Sequence, residues 1–323
     1  MLSKIQSIFI ISHEIHPLKP DFLNPNDQIA IVAPSGRIFP EEIEDGLNLL
    51  KNWNLMPVLG KNLFQDYDNA YHYAGTDEQR VSDFQTSLDD AQIKAIWCAR
   101  GGYGAVKLLD KLNWDKFRQN PKWIIGYSDI TAVHNHVNNF GIETIHGITT
   151  KKLNTNYTEA SFSTLKKSLF GENLNYKIPA HPLNQKGNAK GKLVGGNLSI
   201  IYSLAGSQSF IQGNDLILFI EDWNENWYHI DRMMMNLKRS GLLDKISGLI
   251  VGSFTKMDVE TENPQFHSDF DETTYEVIQK IMHEYEIPIA YQFPAGHIGD
   301  NRALIFGREI SLEINENSVI LNF

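Results

Sequence analysis

The sequence predicts an α/β protein in two parts, a parallel-sheet domain followed by a smaller half that is richer in β structure. Three observations carry this expectation. Short apolar runs alternate with segments of helical spacing through the first half, the order that builds a parallel sheet covered on both faces. A chain of 323 residues is long enough for two domains of about 150. Between residues 171 and 191 the composition turns to Gly, Asn, Pro and Lys with no sustained periodicity, which reads as a linker. The divisions expected are an N-terminal extension over 1–24, an α/β domain over 25–170, the linker over 171–191 and a β-rich domain over 192–323.

Residues 28–33 (QIAIVA) form a near-continuous apolar run stopped by Pro34, Ser35 and Gly36, as when a strand buried on both faces enters a loop. Ile43, Leu47, Leu50 and Trp53 have helical spacing over 41–53, and 56–59 (MPVL) is a second short strand, giving a βαβ opening. A polar helix over 77–89, with Val81, Phe84 and Leu88 on one side, leads to a strand over 95–99. The loop 100–104 (RGGYG), a helix over 105–111, a strand over 123–126 and a helix over 129–138 follow. In the second half, strands over 216–220 and 248–253 surround a helix over 228–243. Three closing strands are expected over 303–307, 309–314 and 318–322, the last two paired across Asn315, Glu316 and Asn317.

Composition removes several classes of function. With 42% apolar and 21% charged residues the chain is an ordinary globular mix, neither disordered nor fibrous. Lys and Arg number 29 against 39 Asp and Glu, a net charge of −10 that disfavours a broad nucleic-acid-binding surface. Cys98 is the sole cysteine, so no internal disulfide is available, which fits the cytoplasm. No apolar run reaches the ~18 residues of a spanning helix. Lys4 ahead of Ile8, Phe9, Ile10 and Ile11 resembles a weak export signal, yet no small-residue cleavage site follows. Residues 1–24 are therefore expected to lie outside the fold, with export left open.

The most informative segment is 123–134 (WIIGYSDITAVH), an apolar strand that turns at once into a helix with Ser128 at the corner. A serine there projects its hydroxyl at the carboxyl edge of the sheet, toward amides of the first helical turn that can stabilise an oxyanion; the Asp129 amide is one. The G-x-S-x-G pattern is incomplete, since Ile130 stands where its second glycine would be, and a plain helix cap is the alternative reading of Ser128. The RGGYG loop ends the preceding strand and so lies on the same edge. Gly101 or Gly102 can bring a second amide close to a ligand there, the alternative being a tight turn.

A nucleophilic serine needs a base. Of the 11 histidines, His297 stands out in a Gly- and Pro-flanked loop between two strands (FPAGHIGD), whereas His134, His136, His146 and His229 are more simply packing or surface residues. Glu221 and Asp222 abut the apolar strand over 216–220, where an unpartnered carboxylate is costly, and either can orient the base. No H-E-x-x-H and no G-x-G-x-x-G occurs, so neither a metal nor a cofactor is expected.

Taken together, these segments resemble the LD-carboxypeptidase family, peptidase family S66, serine peptidases that trim cytoplasmic murein tetrapeptides. The matching pieces are IAIVAPSG at 29–36, ARGGYGA at 99–105, IIGYSDIT at 124–131, HG at 146–147, GKLVGGNLS at 191–199, LFIEDWNENWYHIDRMMMNL at 218–237, GLIVGSF at 248–254 and AGHIGDNRALIFG at 295–307. They run in order through nearly all of the chain from residue 28. The resemblance implies a flavodoxin-like N-terminal α/β domain carrying the nucleophile and a smaller β-rich C-terminal domain carrying the acid and base. The site then lies between them, and the assembly is a homodimer.

Carried over position by position, the resemblance puts the nucleophile on Ser128, the carboxylate on Glu221, the base on His297 and the oxyanion donors at the Asp129 and Gly102 amides. It implies hydrolysis of the L,D-peptide bond that releases terminal D-alanine from a murein tetrapeptide, with no cofactor and with neither nucleic acid nor membrane as partner. Gly101, Asn197 and Arg232 are candidate substrate contacts, and Arg100, Arg232 and Arg302 are available for the substrate carboxylate. The family pattern has no need of residues 1–24. A second reading from the same superfamily is hydrolysis of peptidyl or aminoacyl adenylates, as in microcin C self-immunity proteins. The stretch from Ser128 to Glu221 looks short for the aromatic-bearing insertion that stacks a nucleobase there.

Overall fold

The computed structural model describes residues 18–258 and 268–323. The first half runs β1 (Gln28–Val32), α1 (Glu44–Asn52), β2 (Met56–Leu59), a small hairpin of β3 (Tyr67–Asp68) and β4 (His72–Tyr73), α2 (Asp77–Asp89), β5 (Ile93–Cys98), α3 (Asp115–Gln119), β6 (Trp123–Gly126), α4 (Thr131–Asn138), β7 (Thr144–His146), α5 (Leu153–Asn156) and α6 (Glu159–Phe170). The second adds β8 (Asn175–Pro179), β9 (Gly187–Asn197), α7 (Leu198–Ser203), β10 (Leu216–Trp223), α8 (Trp227–Arg239), β11 (Ile246–Thr255), α9 (Glu272–Met282), β12 (Ile289–Ala290), β13 (Leu304–Phe306), β14 (Glu309–Ile314) and β15 (Ser318–Asn322).

One sheet has the order β13-β7-β6-β5-β1-β2 and is parallel except for β13. Its central strands are buried on both faces, which is why they read as unbroken apolar runs. On one side α2 starts in a capping box, with Gln79 N donating to Thr76 Oγ1 and Thr76 N to Gln79 Oε1, and buries Phe84 and Leu88. The other sheet has the order β12-β11-β10-β9-β14-β15-β8. It is parallel from β12 to β9 and antiparallel beyond. Against it α8 buries Ile230, Met233, Met234 and Leu237, a single helical stripe. The largest apolar cluster is common to both sheets, joining Ile31, Trp97 and Ile125 to Leu193, Phe219 and Leu312. Among the described residues no helix is long and apolar enough to cross a membrane.

Four segments differ from expectation. Residues 18–24 are packed on the first domain: Leu18 pairs with Ile142, Leu23 is buried, and the Trp123 indole donates to Asp21 O at 2.9 Å. The rest of the expected extension, 1–17, lies outside the described residues. The stretch read as linker contains β8 and the start of β9. Only Tyr176 and Ile178 of β8 point inward, too short an alternation to stand out in a polar sequence. The helix expected over 105–111 is a single tight turn, Ala105–Lys107, after which the chain doubles back and the Trp114 indole donates to Leu109 O at 3.3 Å. Finally, β13 joins the first sheet, pairing antiparallel with β7, because Phe306 fits between His146 and Phe219 in the common core.

Candidate active site

Ser128 follows β6 by two residues and has φ of 64°, in the left-handed region that disfavours a side chain by about 1–2 kcal/mol. A cap would have extended backbone, and no side-chain capping bond is made at this turn, so Ser128 is held at a strained corner instead. The RGGYG loop bears directly on it. A Cβ on Gly101 would stand 2.9 Å from Ser128 Cβ and 3.1 Å from its Oγ, so only glycine fits. Beside Ser128, the Asp129 carboxylate is buried and already occupied. It accepts from Ser35 Oγ at 2.6 Å and from Ala105 N at 2.8 Å, which ties the loops after β1 and β5 to the end of β6. Burial pushes the Asp129 carboxyl up, against these hydrogen bonds and the charge of Arg80.

Glu221 and Asp222 end β10 and, by the alternation of a strand, face opposite ways. Glu221 Oε2 lies 2.7 Å from His297 Nδ1. Asp222 instead accepts from Asn197 Nδ2, Ser199 N and Oγ, and its own neighbour Trp223 N, which anchors the start of α7. Burial, with the charge of Glu221 added, raises the Asp222 carboxyl to about 6. The His297 loop approaches Glu221 through Gly296, whose φ of 122° suits glycine and where a Cβ would fall 2.8 Å from Glu221 Oε2. Burial opposes charging of His297, but Glu221, by charge and hydrogen bond, and Asp222 outweigh it, so the imidazole titrates above its ordinary value. Its ring lies 4.9 Å from that of Tyr127 and is stacked near Trp223 at 6.1 Å. With Nδ1 donating to the carboxylate, Nε2 is free to accept a proton.

Ser128, His297, Gly101 and Gly102 line one cavity of about 450 Å³, and Glu221 stands buried behind His297. Arg100, Tyr127, Lys151 and Trp223 line it too. Asn197 and Arg232, expected as substrate contacts, do not. The Asn197 side chain is spent on Asp222 and on the Ile200 amide at the start of α7, and Arg232 is exposed on α8 over the Tyr228 ring. Arg302 is paired with Asp300 beside a separate hollow of about 520 Å³. The remaining histidines expected to pack do so: His134 bonds Gly126 O at 2.9 Å and burial lowers it to about 4, His136 bonds Ser209 Oγ, and His146 sits among Tyr127, Phe219 and Phe306. Sequence reasoning missed Trp223, although strand alternation places it on the face of Glu221, and missed Lys151, which no pattern marks.

Comparison with known proteins identifies the family. Residues 29–147 match the LD-carboxypeptidase N-terminal domain and residues 190–312 the LD-carboxypeptidase C-terminal domain. A probable murein peptide carboxypeptidase of Bacillus subtilis is 31% identical, over 94% of each chain. The murein tetrapeptide carboxypeptidase of Pseudomonas aeruginosa is 29% identical, over 89% of this chain and 94% of its own. Two solved structures share the fold. A muramoyltetrapeptide carboxypeptidase from Oxalobacter formigenes superposes with a TM-score of 0.79 at 23% identity, covering 91% of this chain and 97% of its own. The microcin C7 self-immunity protein MccF, solved with aspartyl sulfamoyl adenosine, gives 0.80 at 22% identity, covering 95% and 99%. The chain belongs to the LD-carboxypeptidase family, peptidase family S66, and is a hydrolase of the carboxypeptidase class.

Proposed function

We propose that the protein is a serine carboxypeptidase that hydrolyses the L,D-peptide bond of murein tetrapeptides, releasing terminal D-alanine, and that it works as a cytoplasmic homodimer. The observation that carries the reading is the 2.7 Å bond from His297 Nδ1 to buried Glu221, at a cavity that His297 shares with Ser128 on its strained corner. Ser128 Oγ attacks the carbonyl of the third residue while His297 Nε2 takes its proton. The oxyanion is met by the amides of Asp129 and Gly102. His297 then gives the proton to the leaving amine, D-alanine departs, and an acyl-enzyme remains. Water, deprotonated by His297, attacks the ester and restores Ser128. Glu221 holds the imidazole in the required tautomer and stabilises its charged form.

The relatives named for murein peptides support the substrate class. The likeness to the self-immunity protein supplies the rival substrate, an aminoacyl adenylate. Incubating the purified protein with a murein tetrapeptide and, separately, with an aminoacyl sulfamoyl adenylate decides between them. D-alanine release with no nucleoside product is expected; the reverse pattern replaces the peptide with the adenylate.

A further inference from the structure

We infer that Arg100 and Lys151 form an anion subsite that holds the terminal carboxylate of the peptide beside Ser128, an assignment that rests on the carboxypeptidase reading above. Topology puts the two cations there. β6, which leads into Ser128, is paired with β5 on one side and β7 on the other. Arg100 leaves the end of β5 and Lys151 the segment after β7, and the two segments are joined where the Thr150 hydroxyl Oγ1 donates to Ala99 O at 3.4 Å. Both residues line the cavity that contains Ser128.

Among the described residues the charges of this pair are not balanced. Glu42 Oε1 is 3.3 Å from Lys151 Nζ and 3.8 Å from Lys152 Nζ, so one carboxylate serves two lysines. Arg100 donates Nη1 to Arg37 O at 2.8 Å and, among the described residues, has no carboxylate within ion-pair distance. Its charge acts on Lys151, whose ammonium is held below its ordinary value by burial first and by Arg100 next, against the pull of Glu42. Two neighbouring cations sharing half an anion, in a protein of net charge −10, are an arrangement that a ligand carboxylate completes.

The terminal carboxylate needs a cationic partner close to the nucleophile. In a peptide ending in D-alanine that group is two bonds from the scissile nitrogen, so its partner must stand within a few ångströms of the serine. Arg100 precedes Gly101, whose Cβ position is 3.1 Å from Ser128 Oγ. The same guanidinium and the Tyr71 hydroxyl crowd Gly36, at 3.1 and 2.9 Å from its Cβ position. A planar guanidinium can take both carboxylate oxygens, and the ammonium adds a point charge.

The test compares kcat/KM for a tetrapeptide ending in D-alanine with that for the same peptide ending in D-alaninamide, in the wild type, Arg100→Gln and Lys151→Met, each checked for native circular dichroism. Losing a charge-assisted contact of this kind should lower wild-type turnover of the amide by about 100-fold, and Arg100→Gln should lose a similar factor on the acid and little on the amide. Lys151→Met should shift the acid-to-amide ratio in the same direction. Wild-type ratios in both variants would overturn the subsite while leaving the carboxypeptidase reading intact. Failure of the wild type to release D-alanine from the acid would overturn that reading and the subsite with it. If the loss in Arg100→Gln instead follows removal of a side-chain carboxylate from the third residue, the pair holds that group and the terminal assignment is wrong.

Discussion

His297 is held between opposing effects, and their balance sets the pH at which the site works. Burial favours the neutral imidazole, while Glu221 at 2.7 Å and Asp222 behind it favour the charged one and prevail. The base is the neutral form, so kcat/KM should rise with pH through a midpoint above 6.5, the ordinary histidine value. A profile flat down to pH 5 contradicts this. Glu221→Gln removes the larger carboxylate influence and leaves burial, so the midpoint should move down while kcat falls by about 10⁴-fold, as expected when the orienting carboxylate of a triad is lost. The same linkage acts on stability: the raised value makes protonated His297 a stabilising group below its unfolded pKa, and that contribution disappears as pH rises through the folded value.

At the scale of elements, the site is a set of strand ends laced together. The Asp129 carboxylate joins the loops after β1 and β5 to β6, and Arg80 Nη1 adds bonds to Pro34 O and Gly104 O in the same two loops. Ser35 and Ala105 both donate to Asp129 Oδ2 while Oδ1 is buried without a partner among the described residues, so Asp129→Asn puts an amide donor where nothing accepts it. Leaving a buried donor unmet costs about 1–3 kcal/mol, so the variant should unfold at lower urea with reduced kcat; an unchanged midpoint contradicts the tether. These elements also mark what was legible in the sequence. β1, β5 and β6 are buried on both faces and announce themselves as apolar runs, and the corner at Ser128 follows from where β6 stops. β8 and β13 were misplaced, because a half-polar edge strand carries little apolar signal and no local pattern tells Leu304 which sheet it will join. His297 and the pair Glu221 and Asp222 stood out from their positions at loop and strand ends, and the family resemblance singled out Glu221. Lys151 was not, since its role depends on Ala99 and Thr150 meeting across 51 residues of chain.

The whole molecule is two sheets with one shared core, and the second half reaches back through β13 to pair with β7. The cavity between them takes Ser128 and the glycine loop from one half and His297, backed by Glu221, from the other. A net charge of −10 hides a local positive pair at the place where an acidic peptide would end. The central claim is that this joint performs acyl transfer from Ser128. It is tested most directly by the rate of D-alanine release from a murein tetrapeptide by Ser128→Ala, with urea unfolding used to verify that the variant is as stable as the wild type. Removing the nucleophile should lower kcat by about 10⁴-fold or more, leaving only what binding and the oxyanion donors supply. A folded variant that still releases D-alanine within tenfold of the wild-type rate would contradict the account.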